Sequence, residues 1–86
     1  MSRDHSKLVE KIINKMFELS GHDVQYQQLL GRTDDWYNQY TITEEKETEW
    51  IKFGVDTIRK DMKVPKYIAE NEMRWIHLTY GLKTIK

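Results

Sequence analysis

The chain has 86 residues and a mass of 10.5 kDa, enough for one domain and not for two. Its 14 Lys and Arg balance 14 Asp and Glu, which excludes the one-sided field of a basic nucleic-acid coat or an acidic DNA mimic. Zero cysteines exclude a disulfide scaffold, thiolate-ligated zinc and a thiol nucleophile, while three Trp, five Tyr and two Phe separate the chain from disordered sequences.

The first predicted helix covers residues 7–19. Leu8, Val9, Ile12, Ile13, Met16, Phe17 and Leu19 recur at helical spacing, and Lys7, Glu10, Lys11, Asn14, Lys15 and Glu18 form its wet face. Asp4 or Ser6 can cap its start, and Ser20-Gly21 closes it because glycine accepts the left-handed conformation after a last turn. Asp23, Val24–Leu30 and Gly31 then read as a short capped helix of about two turns anchored by Val24, Tyr26, Leu29 and Leu30. Trp36–Thr43 combines aromatic and β-branched residues that favour an extended strand. Trp36, Tyr37 and Tyr40 are also spaced for a helical turn, which becomes extended by Thr41.

Thr43 caps the next predicted helix, 44–63. Glu44, Glu45 and Glu47 complement its positive end, and Arg59, Lys60 and Lys63 its negative end. Trp50, Ile51, Val55, Ile58 and Met62 hold helical spacing. Gly54, worth about 1 kcal/mol less than Ala inside a helix, predicts close approach by another helix or an aromatic ring. Pro65 opens the last predicted helix, 65–80, which carries Ile68, Ala69, Met73, Trp75, Ile76 and Tyr80 inward and stops at Gly81. Leu82 is placed for the apolar contact that follows such a stop. Thr84-Ile85 either frays or lies beside Tyr40–Ile42.

The predicted architecture is therefore all-α. Three principal helices and one or two short turns within 23–40 make one domain, with the last two helices as an antiparallel hairpin and the first packed across it. A two-stranded ribbon between 40–42 and 83–85 is the structural alternative. Glu47, Trp50 and Ile51 recur 25 positions on as Glu72, Trp75 and Ile76, either as equivalent knobs of the hairpin or by chance.

Catalytic and metal chemistry find little footing. His5, His22 and His77 have no paired-ligand spacing, and a closed zinc site needs four donors. His22 beside Asp23 suits a capping turn, and His77 a half-buried or surface position. Ser2, Ser6 and Ser20 lack a strand–turn–helix nucleophile context, and glycines 21, 31, 54 and 81 stand singly rather than in a phosphate-cradling loop. An enzyme built on His22, Asp34 and Asp35 would need a cleft that gathers them. The expectation is no catalytic activity, no cofactor and no metal.

Surface chemistry points to binding. The zero net charge is a cancellation, with −5 over residues 21–56 against +4 over 57–86 and +1 before them. Arg59, Lys60, Lys63 and Lys66 surround the turn between the last two helices, beside Tyr67, and are the candidate nucleic-acid contacts. The structural explanation of the same residues is that Arg59, Lys60 and Lys63 satisfy a helix C-terminus while Lys66 is solvated. Arg32, Asp34, Asp35, Trp36, Tyr37 and Tyr40 have the composition of a protein-binding hot spot, or else form a lid over the helices. No apolar run reaches the ~20 residues of a membrane span, and Met1–His5 lack a signal-peptide core, so a cytoplasmic protein without a membrane partner is expected.

Several stretches together carry a resemblance. They are Met16–Val24 followed by Tyr26, Asp34-Asp35-Trp36-Tyr37, Thr41 with Thr43-Glu44-Glu45 and Trp50, Ala69-Glu70 with Glu72-Met73, Trp75-Ile76 and Tyr80–Lys83. The combination resembles small hypothetical proteins of T4-like tailed phages, marine ones especially, over most of the chain after residue 15. The resemblance implies work inside an infected host cell and supplies no mechanism. In that setting the expected role is an interaction module that binds a host or phage protein, as a monomer or a homo-oligomer. A nucleic-acid-binding accessory factor is the alternative.

Overall fold

The computed structural model describes residues 6–29, 33, 35 and 38–85. Helix α1, Ser6–Ser20, buries Ile12, Ile13, Met16 and Phe17 along one stripe. Gly21, at φ +82°, turns the chain out of it. The Gly21 N–H donates to the Glu18 carbonyl at 3.2 Å and the His22 N–H to the Phe17 carbonyl at 3.0 Å. These two bonds satisfy carbonyls that the helix end would otherwise orphan. The segment expected to form a helix of two turns contracts to a 3-10 turn, Tyr26–Leu29. The Tyr26 N–H donates to Asn14 Oδ1 of α1 at 2.6 Å, which ties the turn to α1. Val24 and Leu29 are buried beneath it.

Strand β1, Thr41–Thr43, leads directly into helix α2, Glu44–Met62. Thr43 Oγ1 accepts the Lys46 N–H at 3.2 Å, and Glu44, Glu45 and Glu47 occupy the first turn. The helix stops one residue short of the expected boundary. Lys63 is its cap, at φ 54° and ψ 50°, a conformation that costs an L-residue with a β-carbon about 1–2 kcal/mol. Glycine has no such penalty, so Lys63→Gly is expected to stabilise the protein by about 1 kcal/mol. A rightward shift of the urea midpoint at unchanged slope reads this out, and a leftward shift would contradict it.

Helix α3, Lys66–Tyr80, has Pro65 as its cap rather than as its first helical residue. The Pro65 carbonyl accepts the N–H groups of Ile68 and Ala69, both at 3.1 Å. Gly81 ends α3 but is not left-handed, lying at φ −60° and ψ 138°. Its role is steric. A β-carbon there would lie 2.4 Å from the His77 carbonyl oxygen and 2.9 Å from the His77 ring.

Strand β2, Lys83–Ile85, then pairs in parallel with β1, Thr41 opposite Lys83 and Thr43 opposite Ile85. The ribbon considered from sequence is therefore present, shifted by one residue on β1. A parallel pair needs a long crossover, and here the α2–α3 hairpin is that crossover. The fold is mostly helical with one short two-stranded parallel sheet.

α2 is the centre, with α1 packed on one flank and α3 on another. Trp50 is wholly buried, and its indole Nε1–H donates to the Ile12 carbonyl of α1 at 2.8 Å. Gly54 faces Met73 of α3, as its place in the sequence predicts. Trp75 departs from expectation: it is 55% exposed, not core. The Glu-x-x-Trp-Ile echo thus pairs a buried indole with an exposed one, so the two are not equivalent knobs.

Candidate functional site

α1 and α3 flank α2 without closing over it, and a groove of about 480 Å³ runs between them. Ile58 and Met62 of α2 form its floor, Leu8 and Val9 of α1 one wall, and Ile76, Trp75 and Tyr80 of α3 the other. Tyr26 closes one end of the groove. Its ring meets that of Tyr80 edge-on at 6.0 Å, and Tyr80 in turn meets Trp75 at 6.3 Å. Burial, a hydrogen bond with Tyr80 and the nearby charges of Tyr80 and Glu10 raise the Tyr26 hydroxyl above the ordinary tyrosine range. Ser6, the Glu72 carboxylate, the Tyr26 and Tyr80 hydroxyls and the Trp75 indole give the lining its polar atoms. The volume falls within the ~300–1,000 Å³ of ordinary ligand clefts, and the exposed lining is divided about equally between polar and apolar atoms.

Sequence reasoning did not find this groove, although a signal for it existed. Ala69, Met73 and Ile76 mark the buried side of α3. At 100° per residue Trp75 falls off that stripe, and Tyr67 and Leu78 fall on the opposite side of the helix.

The predicted protein-binding residues are only partly brought into view. Arg32, Asp34, Trp36 and Tyr37 lie outside the described residues. Asp35 is exposed. Tyr40 is half-buried and turned inward, its ring edge-on to Phe17 at 5.9 Å and to His22 at 4.9 Å. His22, the third residue of the catalytic group considered with Asp34 and Asp35, makes a structural contact. Its Nε2 lies 3.0 Å from the Thr41 carbonyl and ties the end of α1 to β1.

Three of the four residues of the basic turn come together. Arg59, Lys60 and Lys63 surround one shallow depression together with Asp56 and Val64, and exposed Lys66 begins α3. Asp61 of the same turn holds Lys11 of α1 at 3.3 Å. Carboxylates thus interrupt the cationic surface. Among the described residues no three His, Cys, Asp or Glu gather as metal ligands, and no helix is long and apolar enough to cross a membrane.

A second polar cluster lies away from the groove. Glu47 Oε2 of α2 accepts from Thr84 Oγ1 of β2 and stands 3.0 Å from His77 Nε2 of α3. One carboxylate oxygen therefore joins three elements. Burial pushes the Glu47 carboxyl up, but the hydrogen bonds from Thr84 and His77 and the charge of His77 outweigh it, and the net shift is downward. A depressed carboxyl contributes stability above its unfolded pKa, about 4.3. That contribution is lost as pH falls through the lower, folded value. Wild type is therefore expected to exceed Glu47→Gln in Tm at pH 7, with the gap closing below about pH 4. A gap that persists unchanged at pH 3 would contradict the network.

Comparison with known proteins finds no matching family model, no matching curated protein and no matching solved structure. The functional reading therefore rests on the geometry of this chain.

Proposed function

We propose that the protein is a small interaction module whose docking surface is the groove between α1 and α3, and that it has no catalytic activity of its own. The observation that carries this reading is the open, amphipathic groove with Trp75 half out of the core at its rim. Large aromatic residues at a desolvated pocket are the usual anchors of protein recognition. The occupant that fits is an amphipathic helical segment of a partner protein. Its apolar side chains would lie on Ile58 and Met62, and a Lys or Arg would meet Glu72 at the margin. The resemblance to small proteins of T4-like phages fits a partner from the phage or from its host, met in the host cytoplasm. Within that reading the segment Arg32, Asp34, Asp35, Trp36, Tyr37 and Tyr40 remains a second candidate surface.

Photo-crosslinking in the producing cell tests the assignment. A photoreactive residue replacing Trp75 is expected to give a discrete protein adduct that Val9→Glu and Glu72→Lys abolish. The same residue replacing Lys52, on an exposed face of α2, should give none. No adduct at position 75, or one insensitive to both substitutions, would sink the proposal. The nucleic-acid reading rests on the gathering of Arg59, Lys60 and Lys63. It predicts adducts with nucleic acid from position 60 and a gel shift with single- or double-stranded DNA at low salt. Asp56 and Asp61 within that surface favour the docking reading.

A further inference from the structure

Tyr67 and Leu78 are the two most exposed large apolar residues of α3, at 65% and 78%. Eleven positions separate them, just over three helical turns, so they lie in one line about 16 Å apart. Between them Asn71 and Arg74 stand on the same outward side, and Glu70 stands about 70° around the helix toward α2, where it and Arg74 border a depression with Ile51 and Val55; all three are exposed. Neither Glu70 nor Arg74 forms an ion pair among the described residues. The arrangement is apolar at each end and oppositely charged in the middle. It is the pattern of a surface that complements itself under a two-fold rotation.

We propose that this outward face of α3 is a homodimer interface, with two copies of the helix packed antiparallel about a two-fold axis near residues 72 and 73. Each Tyr67 then covers the Leu78 of the other copy. Each Arg74 comes opposite Asn71 of the other copy and within one turn of its Glu70, so two reciprocal ion pairs form along the edge of the contact that faces α2. A parallel pairing would instead set Arg74 against Arg74 and Glu70 against Glu70. The charges therefore choose the orientation, and a closed two-fold contact uses the same patch on both copies. α3 is 15 residues long, about 22 Å, so one helix face on another falls short of the ~800 Å² per partner of a standard interface. The dimer is accordingly a weak one, forming at micromolar concentrations or above. Glu72, Ile76 and Tyr80 point around the helix toward the α1–α3 groove, away from the Tyr67–Leu78 line. Each dimer would then present two open grooves. The proposal does not rest on what the grooves bind.

Sedimentation velocity of the full chain from 5 to 500 µM tests it. The expected result is a concentration-dependent shift from monomer to dimer that Leu78→Glu abolishes while the circular dichroism spectrum is unchanged. Glu70→Arg is expected to weaken self-association at least tenfold. The double exchange Glu70→Arg with Arg74→Glu is expected to restore it, because the antiparallel contact is reciprocal. Monomer at every concentration would overturn the proposal. So would a dimer indifferent to Leu78→Glu, or an exchange that fails to restore association. Leu78→Glu should leave crosslinking at position 75 intact, which separates failure of the dimer from failure of the groove.

Discussion

Replacement of Trp50 by alanine is expected to leave the chain largely unfolded at 25 °C. Among the described residues Trp50 is the largest fully buried side chain, and it is central to the helix that contacts both others. Trp→Ala in a core costs about 3–5 kcal/mol through lost transfer energy and the residual cavity. A cysteine-free core of this size rarely contributes more than ~3–5 kcal/mol net. The two magnitudes are comparable, so loss of the ring consumes most of the stability. Trp50→Phe separates packing from hydrogen bonding. It keeps much of the apolar volume but removes the Nε1–H donor to the Ile12 carbonyl. Its expected cost, about 1–3 kcal/mol, leaves a folded domain with a lower urea midpoint. Far-ultraviolet circular dichroism and urea titration read both variants. A Trp50→Ala protein with the wild-type midpoint would refute this account of the core.

Substitution at Gly54 is expected to destabilise despite the gain in helix propensity. A β-carbon at this position would lie 2.1 Å from Met73 Sδ and 2.6 Å from Met73 Cε. Methionine is flexible and Met73 borders a depression with Ile51 and Val55, but at 1% exposure its thioether must leave packed neighbours to reach it. Overpacking costs about 1–3 kcal/mol, against about 1 kcal/mol returned by replacing glycine with alanine in a helix. Gly54→Ala should therefore lose about 1 kcal/mol net. Gly54→Leu, which must find room for three further carbons, should lie at the top of the overpacking range. The pair is coupled: Met73→Ala should cost less in the Gly54→Ala background than alone, with about 1 kcal/mol of interaction in a double-mutant cycle. Additive costs would show that the two side chains do not compete for the same space.

Where local chemistry governs, residues and structure agree closely. Gly21 ends α1 in the left-handed conformation, and Thr43 with Glu44, Glu45 and Glu47 begins α2. These are decisions of single turns, set by backbone freedom, a hydroxyl acceptor and the helix dipole. The disagreements arise where packing overrides the local signal. The segment after Asp23 forms a 3-10 turn tied to Asn14 of α1 through the Tyr26 N–H. His77 crowds Gly81, so the glycine is required by proximity rather than by handedness. Lys63 adopts a conformation that its own side chain disfavours, at the junction where α2 must turn back into α3.

The candidate site was the least legible part. Aromatic density drew attention to Trp36, Tyr37 and Tyr40. Of these, Tyr40 packs inward on Phe17 and His22, while the groove is lined by residues that read as ordinary core on their own helices. Leu8, Val9, Met62 and Ile76 belong to apolar stripes, and nothing in a stripe says whether a neighbouring helix covers it. That depends on how far apart α1 and α3 stand on α2, a distance no local pattern encodes.

The balanced charge, the missing cysteines and the helical periodicities, all properties of the chain itself, determined a small helical domain with three principal helices. They depend only on residue type and spacing, because hydrophobic burial and capping act over a few turns. Tertiary structure alone decided that Trp50 is core and Trp75 is rim, that Glu47, His77 and Thr84 meet, and that α1 and α3 leave a groove open between them. Each of these depends on the relative placement of elements far apart in sequence. Packing of side chains across α2 fixes that placement, and no single segment carries it.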